Sequence, residues 1–158
     1  MHETKNDIAK ENREKIIGLL NSRLADAIDL KTQAKQAHWN VKGAQFIALH
    51  ELFDQVATAV EEHVDLIAER VTALGGTAMG TARIVAQNSS LSEYPLEIFD
   101  GTAHVEALST AMADFNKKVR QNIDDTDNLD DAVSADVLTG VSREIDKLLW
   151  FVEAHIQA

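Results

Sequence analysis

Two pairs of potential metal ligands share one face of a long helical segment. His50 and Asp54 are four residues apart, and so are Asp65 and Glu69, so each pair lies one turn apart on the same side of a helix. At about 100° per residue, all four side chains fall within an arc of about 100° that points away from the apolar stripe of the segment. Mixed imidazole and carboxylate ligands suit iron, manganese or zinc. The spacing predicts a metal site and does not separate iron from zinc.

The two pairs cannot meet on one metal ion within a single helix. Asp54 and Asp65 are eleven residues apart, which is roughly 16 Å along the axis at about 1.5 Å per residue. If two copies of the helix pack antiparallel about a point near Ala59, the histidine-containing end of one copy meets the Glu69 end of the other. A two-fold contact of this kind makes two equivalent sites.

His38 is a fifth candidate ligand, contributed by the preceding segment. It continues an inward stripe that includes Leu20 and Leu24, and it lies twelve residues before His50, across a short turn. Taken singly, each of the five residues has an ordinary structural explanation, as a satisfied core histidine or a solvated carboxylate. Their joint arrangement favours a metal site.

Other histidines and aromatic residues carry weaker predictions. His63 falls on the other side of the helix and is interpreted as structural or as a neighbour of the ligands. The other three histidines, His2, His104 and His155, have no matched partner and are predicted to be surface or packing residues. The two aromatic residues near the end of the chain, Trp150 and Phe151, are predicted to pack in the core.

The elements that position these residues are predicted to be helices. Apolar residues recur at spacings of three and four in four segments, and no segment alternates with period two for long enough to make a strand. The segments run from about 9 to 41 and from about 45 to 74, and two more begin at about 100–102 and 131–134. A short Lys42-Gly43 turn makes the first two antiparallel neighbours, and about 25 residues separate the second from the third. The predicted fold is all-α, a ferritin-like four-helix bundle with one long crossover that we expect to include a short helix.

Length and composition exclude several classes of protein. The chain has 158 residues, which fits one domain, and it has no cysteine, which excludes a disulfide scaffold and a thiolate metal site. Residues 1–15 form a polar tail that leads into the first helix, and residues 16–158 are predicted to form the single domain. No run of about 18 apolar residues is present, so no membrane span is expected. The missing cysteines fit a reducing compartment, and we expect the protein in the cytoplasm.

The net charge is −11, from 26 acidic and 15 basic residues. A chain this acidic is expected to gather cations and to bind nucleic acid poorly. Part of the charge comes from a run of six aspartates in residues 124–136, which includes Asp130, Asp131 and Asp136. The run is interpreted either as a solvated loop or as part of a carboxylate ring that attracts cations.

Several stretches of the chain resemble the signatures of the Dps proteins, the mini-ferritins that protect DNA during starvation. These stretches are residues 36–43 (QAHWNVKG), 46–51 (FIALHE), 65–70 (DLIAER), 74–77 (LGGT) and 146–151 (DKLLWF). The resemblance extends from about Ile16 onward. It implies a hollow dodecamer with ferroxidase sites between subunits, and iron ligands drawn from His38, His50 and Asp54 of one subunit and from Asp65 and Glu69 of its two-fold partner. Zinc is an alternative metal at the same ligands.

The resemblance also implies an activity and further site residues. Family members oxidise Fe(II), preferably with hydrogen peroxide, and store the ferric mineral in the cavity. Trp39 resembles a tryptophan that intercepts oxidising equivalents, with packing as its alternative role, and Lys42 resembles a residue beside the ligands. In the family, the start of the last helix lines three-fold pores that pass iron inward, and Asp130, Asp131 and Asp136 fall there.

DNA binding is where the chain departs from the family pattern. Members that condense DNA use a lysine-rich N-terminal tail, whereas residues 1–15 here carry four basic and four acidic side chains. Weak or absent DNA binding at physiological salt is therefore expected, although nucleoid association stays open. The alternatives to an iron-oxidising cage are a DNA-compacting nucleoid protein with incidental iron chemistry and a helical oligomer without metal.

Overall fold

Five α-helices account for most of residues 1–157, the part of the chain that we describe here in a computed structural model. They are α1 (Lys10–Asn40), α2 (Phe46–Ala73), α3 (Ala82–Asn88), α4 (Gly101–Asp127) and α5 (Ala132–Glu153). The bounds of α1 and α2 and the starts of α4 and α5 lie within about two residues of the predicted positions, and α3 is the short helix expected within the crossover. The predicted all-α fold is confirmed. No helix among these residues is long and apolar enough to cross a membrane.

The four long helices form one bundle around an apolar core. α1 packs mainly on α2 and α4 on α5, while α1 also contacts α4, and α2 contacts α5. The largest side chains in the core, Phe53 of α2 and Phe115 of α4, are fully buried. Each apolar side chain of this size contributes about 1.5–3 kcal/mol when it leaves water. The inward stripes therefore determine which face of each helix stays available for chemistry.

The turn between α1 and α2 is short and tied to the crossover. Gly43 has a φ of 110°, a left-handed conformation that glycine adopts without a Cβ penalty. The backbone N–H of Lys42 donates to the carbonyl of Phe99 at 2.8 Å. The turn reverses the chain and brings the end of α1 beside the start of α2, where His38 and His50 lie.

The end of α2 also depends on glycine. Gly75 has a φ of 87°, and a Cβ there would lie 2.7 Å from the carbonyl oxygen of His2. The N–H of His2 donates to the carbonyl of Gly75 at 2.7 Å, and the Arg13 guanidinium donates to the carbonyl of Leu74 at 3.0 Å. The start of the N-terminal segment therefore lies against the end of α2.

The crossover is held to the bundle by buried polar side chains. The Asp26 carboxylate of α1 is fully buried, accepts a hydrogen bond from the Ser90 N–H at 2.6 Å and pairs with Arg23 at 3.0 Å. Further along, Tyr94 and His104 are both buried, and the Tyr94 hydroxyl lies 2.8 Å from His104 Nδ1. His104 is therefore a packing residue, which is one of the two roles predicted for it; the other was a surface position.

Trp150 differs from its predicted position. It was expected in the core, but 61% of its surface is exposed, and Phe151 beside it is only partly buried. The core stripe of α5 passes through Ile145, Leu148 and Val152. Trp150 lies two residues after Leu148, and it therefore points away from that stripe.

Candidate metal centre

His38 and His50 face each other across the α1–α2 turn. Their rings stack with centroids 3.7 Å apart and planes 23° from parallel. Nδ1 of His38 lies 2.7 Å from the carbonyl oxygen of His50, and Nδ1 of His50 lies 2.8 Å from the carbonyl oxygen of His38. Because a carbonyl only accepts, each Nδ1 carries a proton, and in the neutral form of each ring Nε2 has the free lone pair. Metal-binding histidines are oriented by this type of hydrogen bond.

Asp54 lies one turn further along α2 and is paired with a lysine. The Lys35 ammonium donates to the Asp54 carboxylate at 2.6 Å. This hydrogen bond and the charges of Lys35 and the two nearby histidines hold the pKa of Asp54 below its ordinary value, against a smaller opposing effect of desolvation. The half-exposed carboxylate is therefore ionised across the physiological range and available to a cation.

Sequence reasoning missed Lys35. Its signal is its position three residues before His38 on α1, which places both side chains on the same face of the helix. The Lys35 ammonium also lies 5.7 Å from the centre of the Trp39 ring, within the range of a cation–π contact. Lys35 thus connects the carboxylate of Asp54 to the exposed indole.

Asp65 and Glu69 lie on the C-terminal half of α2, and both are exposed. The structure brings His38 and His50 together, with Asp54 nearby, but leaves this second pair further along the helix. Within residues 1–157 of a single chain, no three histidine, aspartate or glutamate side chains converge closely enough to hold one metal ion. One chain alone therefore supplies the predicted ligands in two separate groups.

Trp39 and Lys42 flank the histidines in different ways. Trp39 is 66% exposed, so packing within its own chain does not account for it. Lys42 is exposed, and its ammonium lies 5.0 Å from the centre of the Phe99 ring. In the single chain, Lys42 therefore contacts the end of the crossover.

The three aspartates predicted for a pore have different environments. Asp136 is exposed on the first turns of α5, and Asp130 is exposed in the preceding turn with a φ of 61°. Asp131 is fully buried at its side chain and pairs with Arg70 of α2 at 2.8 Å. It also accepts a hydrogen bond from the Ser134 N–H at 2.9 Å and so caps α5.

The environment of Asp131 differs from that of the other two aspartates predicted to line a pore. Its charge is compensated by Arg70, and its oxygens are occupied by the cap and by the Ser134 hydroxyl. Asp131 positions the start of α5, whereas Asp130 and Asp136 keep carboxylates that face solvent.

Known proteins resemble this chain in both fold and sequence. Residues 17–158 match the family model described as a ferritin-like domain. The chain is 46% identical over 156 residues to the DNA protection during starvation protein of Agrobacterium fabrum, covering 99% of this chain and 96% of the relative.

Two solved structures resemble this one closely. The tetragonal form of Mycobacterium smegmatis Dps superposes with a TM-score of 0.94 at 30% identity, over 99% of this chain and 95% of that one. DpsA14 from Streptomyces coelicolor gives a TM-score of 0.94 at 33% identity, over 98% of this chain and 92% of that one. The bundle and the sequence match define a ferritin-like helical protein. Within that class, the chain belongs to the Dps family.

Proposed function

We propose that this Dps-family chain oxidises Fe(II), preferably with hydrogen peroxide, at sites shared by two copies related by a two-fold axis. The observation that carries the proposal is the reciprocal hydrogen bonding of His38 and His50, which uses the Nδ1 atom of each ring and leaves each Nε2 available to a metal ion. Imidazole nitrogen and carboxylate oxygen are the ligands of non-haem iron sites, and the cysteine-free chain supplies no thiolate to compete.

The second copy supplies the carboxylates that one chain lacks at this position. Asp65 and Glu69 are exposed on α2, and an antiparallel partner helix brings them against the histidines of its neighbour. Such a two-fold contact is reciprocal, so each dimer contains two equivalent sites. Exposed apolar side chains near the site, including Trp39, Ile47 and Leu66, fit a surface that a second copy covers.

The chemistry is a two-electron reduction of peroxide by iron as the substrate. Two Fe(II) ions each give up one electron, the O–O bond of one hydrogen peroxide breaks, and two protons complete two water molecules. Hydrolysis of the resulting Fe(III) then returns protons to solvent as the mineral grows. Pairing the electrons avoids the release of hydroxyl radicals, which is the basis of the protection that we propose for DNA. Zinc, which has no redox chemistry, competes for the same ligands.

The assembly we propose is the hollow dodecamer that stores the mineral, located in the cytoplasm. Exposed apolar residues also occur far from the metal centre, at Val133 and Trp150 on α5. Apolar surface of this kind fits further contacts between copies. Native mass spectrometry of the purified protein tests the assembly directly, and twelve chains per particle are expected.

Protection through iron chemistry is favoured over protection by DNA compaction. The net charge of −11 repels phosphate, and the start of the N-terminal segment is bonded to the end of α2 through His2 and Gly75. A gel-shift titration at about 50 mM salt is expected to show little retarded DNA. Tight complexes under those conditions would favour the compacting function instead.

The oxidation itself is tested by the ferric absorbance that develops after Fe(II) and peroxide are mixed. Asp65→Ala/Glu69→Ala is expected to slow oxidation at least about tenfold, since it removes metal ligands. The matched control is Glu106→Ala/Asp114→Ala, which removes two exposed carboxylates from α4. Equal rates in the wild type and the α2 variant would remove the ferroxidase proposal.

A further inference from the structure

A groove between α2 and α5 is lined by Asp54 and by residues that do not belong to the proposed oxidation site, among them Glu144. Four carboxylates line it, those of Glu51, Asp54, Glu62 and Glu144, and its other lining residues are uncharged. A concave surface with one sign of charge concentrates cations. Acidic lining alone does not define a binding site, and the second feature of this groove is a buried histidine.

His63 of α2 contacts Glu144, one of the carboxylates that line the groove. It is only 5% exposed, and its Nε2 lies 3.1 Å from a carboxylate oxygen of Glu144 on α5. Despite this short separation, neither ring nitrogen makes a hydrogen bond of acceptable geometry. Buried polar atoms are nearly always satisfied, so an imidazole in this state indicates a missing partner.

The geometry of the pair matches two neighbouring ligands of one cation. Bonds of about 2.1 Å that meet at a right angle place adjacent ligand atoms about 3.0 Å apart, and tetrahedral zinc with similar bonds places them about 3.4 Å apart. In either arrangement the nitrogen lone pair points at the metal, so an N–H on that axis misses the carboxylate oxygen. The contact between His63 and Glu144 agrees on both counts: the two atoms are 3.1 Å apart, and no hydrogen bond of good geometry joins them.

We propose that His63 Nε2 and the Glu144 carboxylate form a second divalent-cation site, separate from the ligands shared between copies. Imidazole and carboxylate together suit Fe(II), Mn(II) or Zn(II). The proposed site has two protein ligands, and water would complete the coordination of the cation. Such an open site exchanges its ion readily, and the nearby Glu62 adds negative charge.

The position of the second cation site suggests a role in cation transfer, an inference that rests on the proposed function. Asp54, a ligand of the proposed oxidation centre, and Glu144 both line the groove. A cation held at Glu144 is therefore in position to move to or from the oxidation centre along carboxylates of a single chain.

The test uses zinc as the probe and the assembled full-length protein. Anomalous diffraction from zinc-soaked crystals is expected to show a peak between His63 Nε2 and Glu144. Equilibrium dialysis is expected to show about one fewer zinc ion per chain in Glu144→Gln and in His63→Gln than in the wild type. Glu144 is half-exposed, so its variant keeps the fold even if loss of His63 does not. Glu153→Gln, on the same helix and outside the groove, is the control and should bind as the wild type does.

The same measurements in an Asp65→Ala/Glu69→Ala background separate this proposal from the oxidation site. The effect of Glu144→Gln on zinc stoichiometry should persist there, even though Fe(II) oxidation is lost. Equal stoichiometry with and without Glu144→Gln, or no anomalous peak beside His63, would overturn the second site while leaving the proposed oxidation centre untouched.

Discussion

His38 and His50 orient each other through reciprocal hydrogen bonds, each Nδ1 donating to the backbone carbonyl of the other residue. The carbonyl of His38 belongs to the last turn of α1, where helical carbonyls lack an intrahelical partner. His50 supplies that partner from the second turn of α2. The same contact therefore ends one helix, connects it to the next and leaves both Nε2 atoms free of these hydrogen bonds.

If the metal centre is shared between copies, two inactive variants should restore each other. His50→Ala/Asp54→Ala lacks one half of the ligand set, and Asp65→Ala/Glu69→Ala lacks the other. In a mixed dimer one site is intact and the other has lost both halves. Equal, random co-assembly should therefore recover about a quarter of the wild-type oxidation rate, because half of the dimers are mixed.

The control for this experiment is mixing the two assembled proteins without dissociation, which should recover no activity. If the co-assembled sample were as inactive as its parents while native mass spectrometry showed mixed particles, the site would lie within one chain.

Lys35 should weaken cation binding at Asp54, with which it forms a salt bridge of 2.6 Å. In Lys35→Met the ammonium is lost, and zinc affinity should rise about thirtyfold, since a unit positive charge at about 4 Å from a divalent cation costs about 2 kcal/mol in water. The pKa of Asp54 should rise toward its ordinary value, because Lys35 is the main cause of its depression. Calorimetric titration with zinc measures the affinity.

The matched control is Lys31→Met. Lys31 also pairs with an α2 carboxylate, that of Glu61 at 2.5 Å, and its removal alters the local charge by the same amount. A similar gain in zinc affinity in both variants would mean that net charge, and not the specific pair with Asp54, controls binding.

Asp131 and Asp136 should respond differently to the same substitution. Asp131→Asn leaves the largely buried Arg70 guanidinium, whose side chain is 13% exposed, without its partner, and the loss of one member of a buried pair costs up to about 3–5 kcal/mol of the free energy of unfolding. Asp136→Asn removes an exposed charge and should change stability by less than about 0.5 kcal/mol. Denaturant unfolding followed by circular dichroism compares the two variants.

Iron uptake gives the second comparison for these aspartates. If exposed carboxylates at the start of α5 attract iron, Asp136→Asn should slow the uptake of Fe(II) while it leaves stability unchanged. An Asp136→Asn variant with the uptake rate of the wild type would indicate a solvated surface residue.

Trp39 should be oxidised before Trp150 when Fe(II) and peroxide react. The two indoles are similarly exposed in the chain, at 66% and 61%, so accessibility alone predicts similar damage. Trp39 follows His38 directly and contacts Lys35, so it is the nearer of the two to the proposed chemistry. Peptide mass spectrometry of oxygen addition measures both. Equal modification would assign the damage to bulk oxidant, and Asp65→Ala/Glu69→Ala should abolish the preference.

His104 should make the protein less stable as the pH falls below about 6.5. Burial lowers the pKa of its imidazole, although the nearby Asp100 charge partly opposes this. The unfolded chain takes up a proton near pH 6.5 that the folded chain resists, so the free energy of unfolding falls between that pH and the lower folded pKa. Denaturant midpoints at pH 7.5 and 5.5 measure the slope. His104→Gln should flatten it, and an unchanged slope would show that other groups cause it.

The helices and the candidate ligands could be predicted from the sequence because both follow from local periodicity. Apolar spacings of three and four predicted α1 and α2, and the observed end of α2 is followed by Gly75, whose left-handed φ favours glycine. The spacing of four between His50 and Asp54 placed them on one face of α2 independently of the tertiary packing.

Tertiary contacts determined the features that sequence periodicity does not predict. Asp131 looked like part of an exposed acidic run, but Arg70, sixty-one residues earlier, buries and neutralises it. The ion pair of Lys35 with Asp54, and the approach of His63 to Glu144, likewise join residues from different helices. Helix pattern defines the face on which a side chain lies, whereas charge compensation and burial depend on which distant residue packs against that face. The ligand types could therefore be read from the sequence, and their electrostatic environment came only from the packed bundle.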